Sequence, residues 1–232
     1  MTTRSLYLDG EYQLKNPAWH VEESAWKAWQ ILRILRRNRV SPATVCEVGC
    51  GAGEVLTQLQ QRLSGEPTFW GYDISPQAME LAKSRANERL RFRLGDIGDV
   101  EDVYFELILV LDVIEHLQDY FRFLSDLKDK GRHKIFHIPL DLCAQTVLRK
   151  HALLKRRDMY GHLHYFTKET ALETLREAGY EILDCFYTPR ANALGAAATQ
   201  RLLKLPRQVF FALHQDLAVR VLGGYSLLVL TR

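Results

Sequence analysis

Residues 44–53 of this 232-residue chain read Thr-Val-Cys-Glu-Val-Gly-Cys-Gly-Ala-Gly. The apolar start of the stretch reads as a buried strand and the three glycines as a tight turn. Residues 54–63 follow as a helix, with Val55, Leu56, Leu59 and Leu63 at helical spacing. A strand, a glycine turn and a helix in that order open a nucleotide-cofactor fold. Glycine has no Cβ, so the turn can tighten and a ligand can lie against bare backbone.

The glycine spacing separates two cofactor classes. A dinucleotide fingerprint, Gly-x-Gly-x-x-Gly, brings its third glycine near a pyrophosphate. Here the third glycine, Gly53, arrives one residue early, and Glu54 stands where Gly or Ala is expected. Glu47 would repel a pyrophosphate and suits a cationic ligand group. A nicotinamide oxidoreductase is therefore disfavoured. The pattern Glu-x-Gly-x-Gly-x-Gly resembles motif I of the class I S-adenosylmethionine-dependent methyltransferases. That resemblance implies that Glu47 faces the methionine ammonium and that Gly49, Gly51 and Gly53 shape the cofactor-binding lip.

Downstream residues extend the resemblance. A second strand, 68–72, ends at Asp73, followed by Ser75 and Pro76 as cap and first-turn residue of a helix. The Asp73 carboxylate can hold both hydroxyls of a ribose, or it can cap that helix itself; beside motif I the ribose role is expected. A third strand, 90–94, leads into Gly95-Asp96-Ile97. This resembles the family's motif III, which implies Asp96 near the adenine amino group and the Ile97 backbone on the ring. Ile74 and Ile97 would sandwich the adenine. The apolar run 107–111 reads as a central parallel strand covered on both faces, with Leu111 at its cofactor end.

The next residues, Asp112-Val113-Ile114-Glu115-His116-Leu117, resemble the segment after the fourth strand in quinone and related small-molecule methyltransferases. An Asn/Asp-Pro-Pro-aromatic motif is missing, which argues against methylation of adenine or glutamine nitrogens. His116 is the expected base for an acceptor hydroxyl, placed where the methyl group should point. A histidine bonded to a backbone carbonyl or capping a helix would read the same way. Asp112-x-x-Glu115-His116 also parallels Glu-x-x-Glu-His in metal-dependent methyltransferases, including small-RNA end methylases, with His162 at the place of a later ligand. Such a set could hold a hard divalent ion. The first ligand is shortened to aspartate, so no residue is assigned to a metal.

Around this core, residues 1–20 read as an irregular arm and 21–39 as a helix with Trp26, Trp29, Leu32 and Leu35 facing the sheet. The family's layout places such a helix over the cofactor, with His20 and Trp26 near it. A helix over 120–129, a strand over 134–138, a Thr167-capped helix and strands over 180–187 and 225–230 complete the pattern. The expected fold is α/β: a Rossmann-like, seven-stranded, mostly parallel sheet with an antiparallel last strand and helices on both faces. Residues 1–40 form the arm and covering helix, and 41–232 the methyltransferase domain. Segments 139–166 and 188–224 are expected on the substrate side.

Net charge is only +3, too small for a nucleic-acid footprint. Basic residues do cluster, from Arg149 to Arg157 and at Arg201, Lys204 and Arg207, beside apolar ones. They read as solvated helix faces, or as a surface for an anionic or membrane-associated acceptor. Four cysteines without a Cys-x-x-Cys pair, no leader-like N-terminus and no apolar run of about 18 residues suggest a cytoplasmic protein with peripheral membrane contact at most. The expected activity is S-adenosyl-L-methionine-dependent O-methylation of a small molecule, sugar or lipid-linked precursor, releasing S-adenosyl-L-homocysteine. A metal-dependent RNA 2′-O-methyltransferase and a non-catalytic cofactor-binding module are the alternatives. Neither the acceptor nor the oligomeric state can be read from the residues.

Overall fold

The computed structural model describes residues 7, 9–19, 21–189 and 204–232. A short helix α1 (Glu11–Lys15) and a long helix α2 (Val21–Arg37) precede β1 (Thr44–Val48). The alternating core follows as α3 (Glu54–Gln60), β2 (Thr68–Asp73), α4 (Pro76–Lys83), β3 (Leu90–Leu94), β4 (Phe105–Leu111), α5 (Tyr120–Lys128) and β5 (Gly131–Pro139). Then come α6 (Ala144–Val147), α7 (Ala152–Tyr160), α8 (Lys168–Glu177), β6 (Ile182–Pro189), α9 (Lys204–Leu213), α10 (Gln215–Leu222) and β7 (Tyr225–Thr231).

The strands form one sheet in the order β3-β2-β1-β4-β5-β7-β6. β1 to β5 pair in parallel, and β7 runs antiparallel between β5 and β6. This is the expected Rossmann-like arrangement. Chain order reverses between β1 and β4, so their C-terminal ends splay apart and open a crevice.

Strand β4 shows how the sequence covers both faces. Leu107, Leu109 and Leu111 enter one core with Ile31, Leu35, Leu56 and Leu59, whereas Ile108 and Val110 enter the other with Leu124, Leu127, Leu172 and Leu175. The alternation is the period-2 geometry of a strand, and each fully buried aliphatic side chain contributes about 1.5–3 kcal/mol.

Helix α2 is rotated relative to the sequence expectation. Its buried face is Ala28, Ile31, Leu32 and Leu35, while Trp29 is 55% exposed. A strict three-residue step falls about 60° short of a full turn at each repeat, so Trp26 and Trp29 drift off the face that Leu32 and Leu35 occupy. Trp26 turns toward the crevice, its ring edge-on to His137.

The segment after β5 holds α6 and α7 rather than an open loop, and α7 buries none of its side chains. The chain then returns to the sheet, where the Leu163 and His164 amides both donate to the Glu115 carbonyl (2.7 and 3.1 Å). In the 188–224 insert, Thr188 and Pro189 end β6, and the described residues from 204 onward hold α9 and α10. No helix among the described residues is long and apolar enough to cross a membrane.

Candidate active site

The strand ends at the crevice, α2 and the N-terminal arm enclose a cavity of about 430 Å³. Its floor is the glycine turn, held to β2 by the Gly49 and Cys50 amides, which donate to the Tyr72 carbonyl. Gly49 and Gly51 line the cavity in left-handed conformations, at φ +72° and +52°. A Cβ on Gly49 would stand 2.8 Å from Val113, and one on Gly51 would face the Trp19 ring at 3.5 Å. Gly53 does not line the cavity. Its missing Cβ would lie 2.4 Å from the Phe92 ring, so this glycine lets α3 settle against β3.

Asp73 is anchored by backbone amides at the end of β2. One carboxylate oxygen accepts from the Gly51 amide and the other from the Ser75 amide, each at 2.8 Å. Ser75 itself caps α4. These bonds do not exhaust the Asp73 carboxylate, which offers about four acceptor sites. Burial pushes its carboxyl up, and the amides of Ser75 and Gly51 oppose that shift.

Asp96 and Ile74 line the cavity, Asp96 also accepting from the Gly98 amide at 2.9 Å. Ile97 is 1% exposed and packs in the core with Tyr72 and Val110. Of the two isoleucines expected around an adenine, only Ile74 therefore presents its side chain. Leu111 lines the wall at the end of β4.

Glu47 is the most telling group on this side. It is 3% exposed, and its Oε2 has no hydrogen-bond partner. Burial raises its carboxyl to about 8; Lys27 opposes the shift and Asp73 adds to it. An unpaired buried carboxylate is costly unless a ligand completes it. An ammonium group placed over the lip would do so.

Beyond β4 lies a second cluster. Asp112, at φ +56°, bonds Lys27 (2.7 Å) through one oxygen and His137 Nδ1 (2.8 Å) through the other. His137 Nε2 lies 2.9 Å from the Thr188 hydroxyl. Burial acts to raise the Asp112 carboxyl, but His137 and Lys27 outweigh it and hold the group well below its ordinary range.

Glu115 is fully buried with neither oxygen partnered, and burial together with Asp112 pushes its carboxyl well up. His116 lines the cavity beside it, Nε2 lying 3.8 Å from the Glu115 carboxylate. Burial, helped by His162, lowers the His116 imidazole to about 4, so it is neutral at pH 7. His162 is oriented by Asp141, whose carboxylate meets its Nδ1 at 2.7 Å and is held in turn by Arg156 at 2.9 Å. Donor atoms of Glu115, His116 and His162 lie within 4.8 Å of one another. Asp112 does not join this group, because Lys27 and His137 already hold it.

The sequence reading placed the arm at the site but named none of its aromatic residues. Tyr7, Tyr12 and Trp19 line the cavity, and the Tyr7 ring meets His116 edge-on at 5.9 Å. Tyrosines and tryptophans in an irregular segment carry no periodic signal. His20 lies outside the described residues. Lys27 was also missed, since one lysine on a charged helix looks like ordinary surface.

A family model described as a methyltransferase domain matches residues 20–184. The chain belongs to the methyltransferase domain family. Its sheet order is the one expected of the class I S-adenosylmethionine-dependent methyltransferase fold. It is 29% identical to trans-aconitate 2-methyltransferase of Deinococcus radiodurans over 148 residues, 61% of this chain and 57% of that protein. It is also 29% identical to ajmaline N-methyltransferase of Rauvolfia serpentina over 93 residues, 37% of this chain and 31% of that protein. The chain thus spans a little over half of one curated relative and a little under a third of the other.

Among solved structures, a chain from a complex of the Haloferax volcanii Trm112 methyltransferase activator with a methyltransferase superposes with a TM-score of 0.67. That match has 17% identity and covers 97% of this chain and 95% of that one. At such identity the likeness concerns the fold. The cavity has a glycine-floored side at the ends of β1 and β2 and a histidine-lined side beyond β4.

Proposed function

We propose that this methyltransferase transfers the methyl group of S-adenosyl-L-methionine to an oxygen of a small-molecule or lipid-linked acceptor. The observation that supports this reading best is the orphaned Glu47 carboxylate above a glycine floor, in one cavity with Asp73 and His116. Glu47 would take the amino group, Gly49 and Gly51 would let the methionine portion lie on the backbone, and Asp73 would hold the ribose hydroxyls. Ile74 and Asp96 would border the base. When bound there, the cofactor supplies a methyl group on a sulfonium, already activated for displacement.

The protein's own work is then geometry and a proton. An acceptor held at the far end of the cavity lies next to His116, whose neutral imidazole takes the hydroxyl proton as the new oxygen–carbon bond forms. The carbon–sulfur electron pair returns to sulfur. The imidazolium produced would sit beside Glu115, 3.8 Å away. Alignment of the two partners contributes several kcal/mol to lowering the barrier, about 7 or more in the best intramolecular cases. Calorimetric titration with S-adenosylmethionine and S-adenosylhomocysteine, followed by a methyl-label screen of extracts, tests the reading. No heat with either compound defeats it.

A second reading is favoured by the convergence of Glu115, His116 and His162. These three would hold a divalent ion that positions the acceptor oxygen, with His162 oriented by Asp141 as metal-bound histidines commonly are. The ion would supply Lewis acidity, lowering the pKa of the hydroxyl it binds. Titration of the metal-stripped chain with Mn²⁺ or Zn²⁺ decides between the two: His162→Ala abolishes stoichiometric binding in this reading, and no binding to the unaltered chain removes it.

A further inference from the structure

We infer that Lys27 recognises the α-carboxylate of the cofactor's methionine portion and, with Glu47, forms a clamp for the zwitterionic head group. The inference rests on the cofactor reading above and concerns a residue that no motif assigns.

The cavity's charge makes the case. Seven acidic side chains line it, while Lys27 is the only lysine and no arginine joins it among the described residues. S-adenosylmethionine carries two cationic groups and one carboxylate. The acidic wall suits the cations and repels the anion. A carboxylate entering this space needs a positive partner, and Lys27 is the one fixed cation that the described wall offers.

Lys27 is placed for the task. Its ammonium is 2.7 Å from Asp112, and its side chain is 15% exposed. Burial, the largest single influence, lowers its pKa, but Asp112, Glu23 and Glu47 together outweigh it. The group therefore stays charged. Asp112 uses one of the three donors of the ammonium, which leaves two. Glu47, whose unpaired oxygen would meet the amino group, is near enough to Lys27 that each perturbs the other. An amino-acid head needs an anion and a cation side by side, and these two residues supply them from β1 and α2.

The test compares S-adenosylmethionine with its decarboxylated analogue, which keeps the sulfonium, the nucleoside and an amine. Calorimetry on the full chain is expected to show Lys27→Met binding S-adenosylmethionine about 10–100-fold more weakly, the loss of one charge-assisted contact. Affinity for the decarboxylated analogue should change less than about threefold, and Lys27→Arg should recover most of the lost affinity. If Lys27→Met weakens both compounds equally, or neither, Lys27 serves only to pair Asp112 and the inference is overturned. If the unaltered chain binds neither compound, the cofactor reading itself is wrong. Because Lys27→Met strands a buried carboxylate, the double variant Lys27→Met/Asp112→Asn repeats the comparison without an unpaired charge, and its melting curve reports whether it folds.

Discussion

The two halves of the cavity are built in different ways. In the cofactor half, Glu47, Gly49, Gly51 and Asp73 come from the ends of two adjacent parallel strands and the turn between β1 and α3. Strand register alone brings them together: Val48 pairs with Tyr72, one residue ahead of Gly49 and Asp73. In the acceptor half, Glu115 and His116 meet His162 from a segment far along the chain, held by two amide bonds to the Glu115 carbonyl. The first half is local. The second draws on connecting segments, the part of a fold that varies most readily.

If that division is real, damage to one half should spare the other. The largest effect is expected at the acceptor end. His116→Ala should lower kcat by about 10²–10⁴, the usual contribution of a positioned acid–base group. Cofactor affinity should stay within about twofold of the unaltered chain by titration. A parallel loss of cofactor binding would show that the halves are not separable. Asp73→Ala is the reciprocal test. Losing a charged acceptor of several hydrogen bonds should weaken cofactor binding by about 100-fold, with melting temperature followed because the Gly51 and Ser75 amides also lose their partner.

These differences also decide what was legible in the residues. The seven strands, the Ser75 and Thr167 caps and the cofactor lip follow from alternation, turn chemistry and strand ends, all local properties. Gly53 and Ile97, expected among the cofactor residues, do not line the cavity, because motif position does not reveal which way a residue faces. Gly53 makes room for Phe92, and Ile97 fills the core. His162 was flagged, yet its approach to Glu115 depends on backbone bonds that no periodicity encodes. The individual aromatics of the arm and Lys27 stayed hidden for the related reason that their meaning comes from the cavity they meet.

A pair of glycines sharpens the comparison further. Gly53→Ala brings a left-handed backbone and a contact of 2.4 Å with the Phe92 ring, and should destabilise the fold by about 2–4 kcal/mol. Gly51→Ala meets only an ordinary 3.5 Å contact with Trp19, so its stability loss should be about 1 kcal/mol, the cost of the left-handed conformation. Its effect should fall instead on the cofactor, about tenfold in affinity, since the methyl group points into the cavity. Thermal melts and titrations on the two variants separate a packing glycine from a binding one. Equal stability losses would erase the distinction.

The smallest effect, and the most specific, concerns the protonation of Glu47. In the free protein its carboxyl sits at about 8, against an ordinary value of 4.5. Between those two values the unfolded chain is ionised there and the folded chain holds a proton. Its contribution to stability is therefore full below pH 4.5, declines as pH rises through the window and is lost above about 8. Binding an ammonium reverses the preference, because the ligand wants the ionised form. Cofactor affinity should thus rise with pH toward 8, by at most about tenfold per pH unit, and level off above it. Glu47→Gln should bind more weakly, lose this slope and flatten the fall in melting temperature between pH 5 and about 8. The same slope in the variant would mean that some other group, not Glu47, receives the amino group.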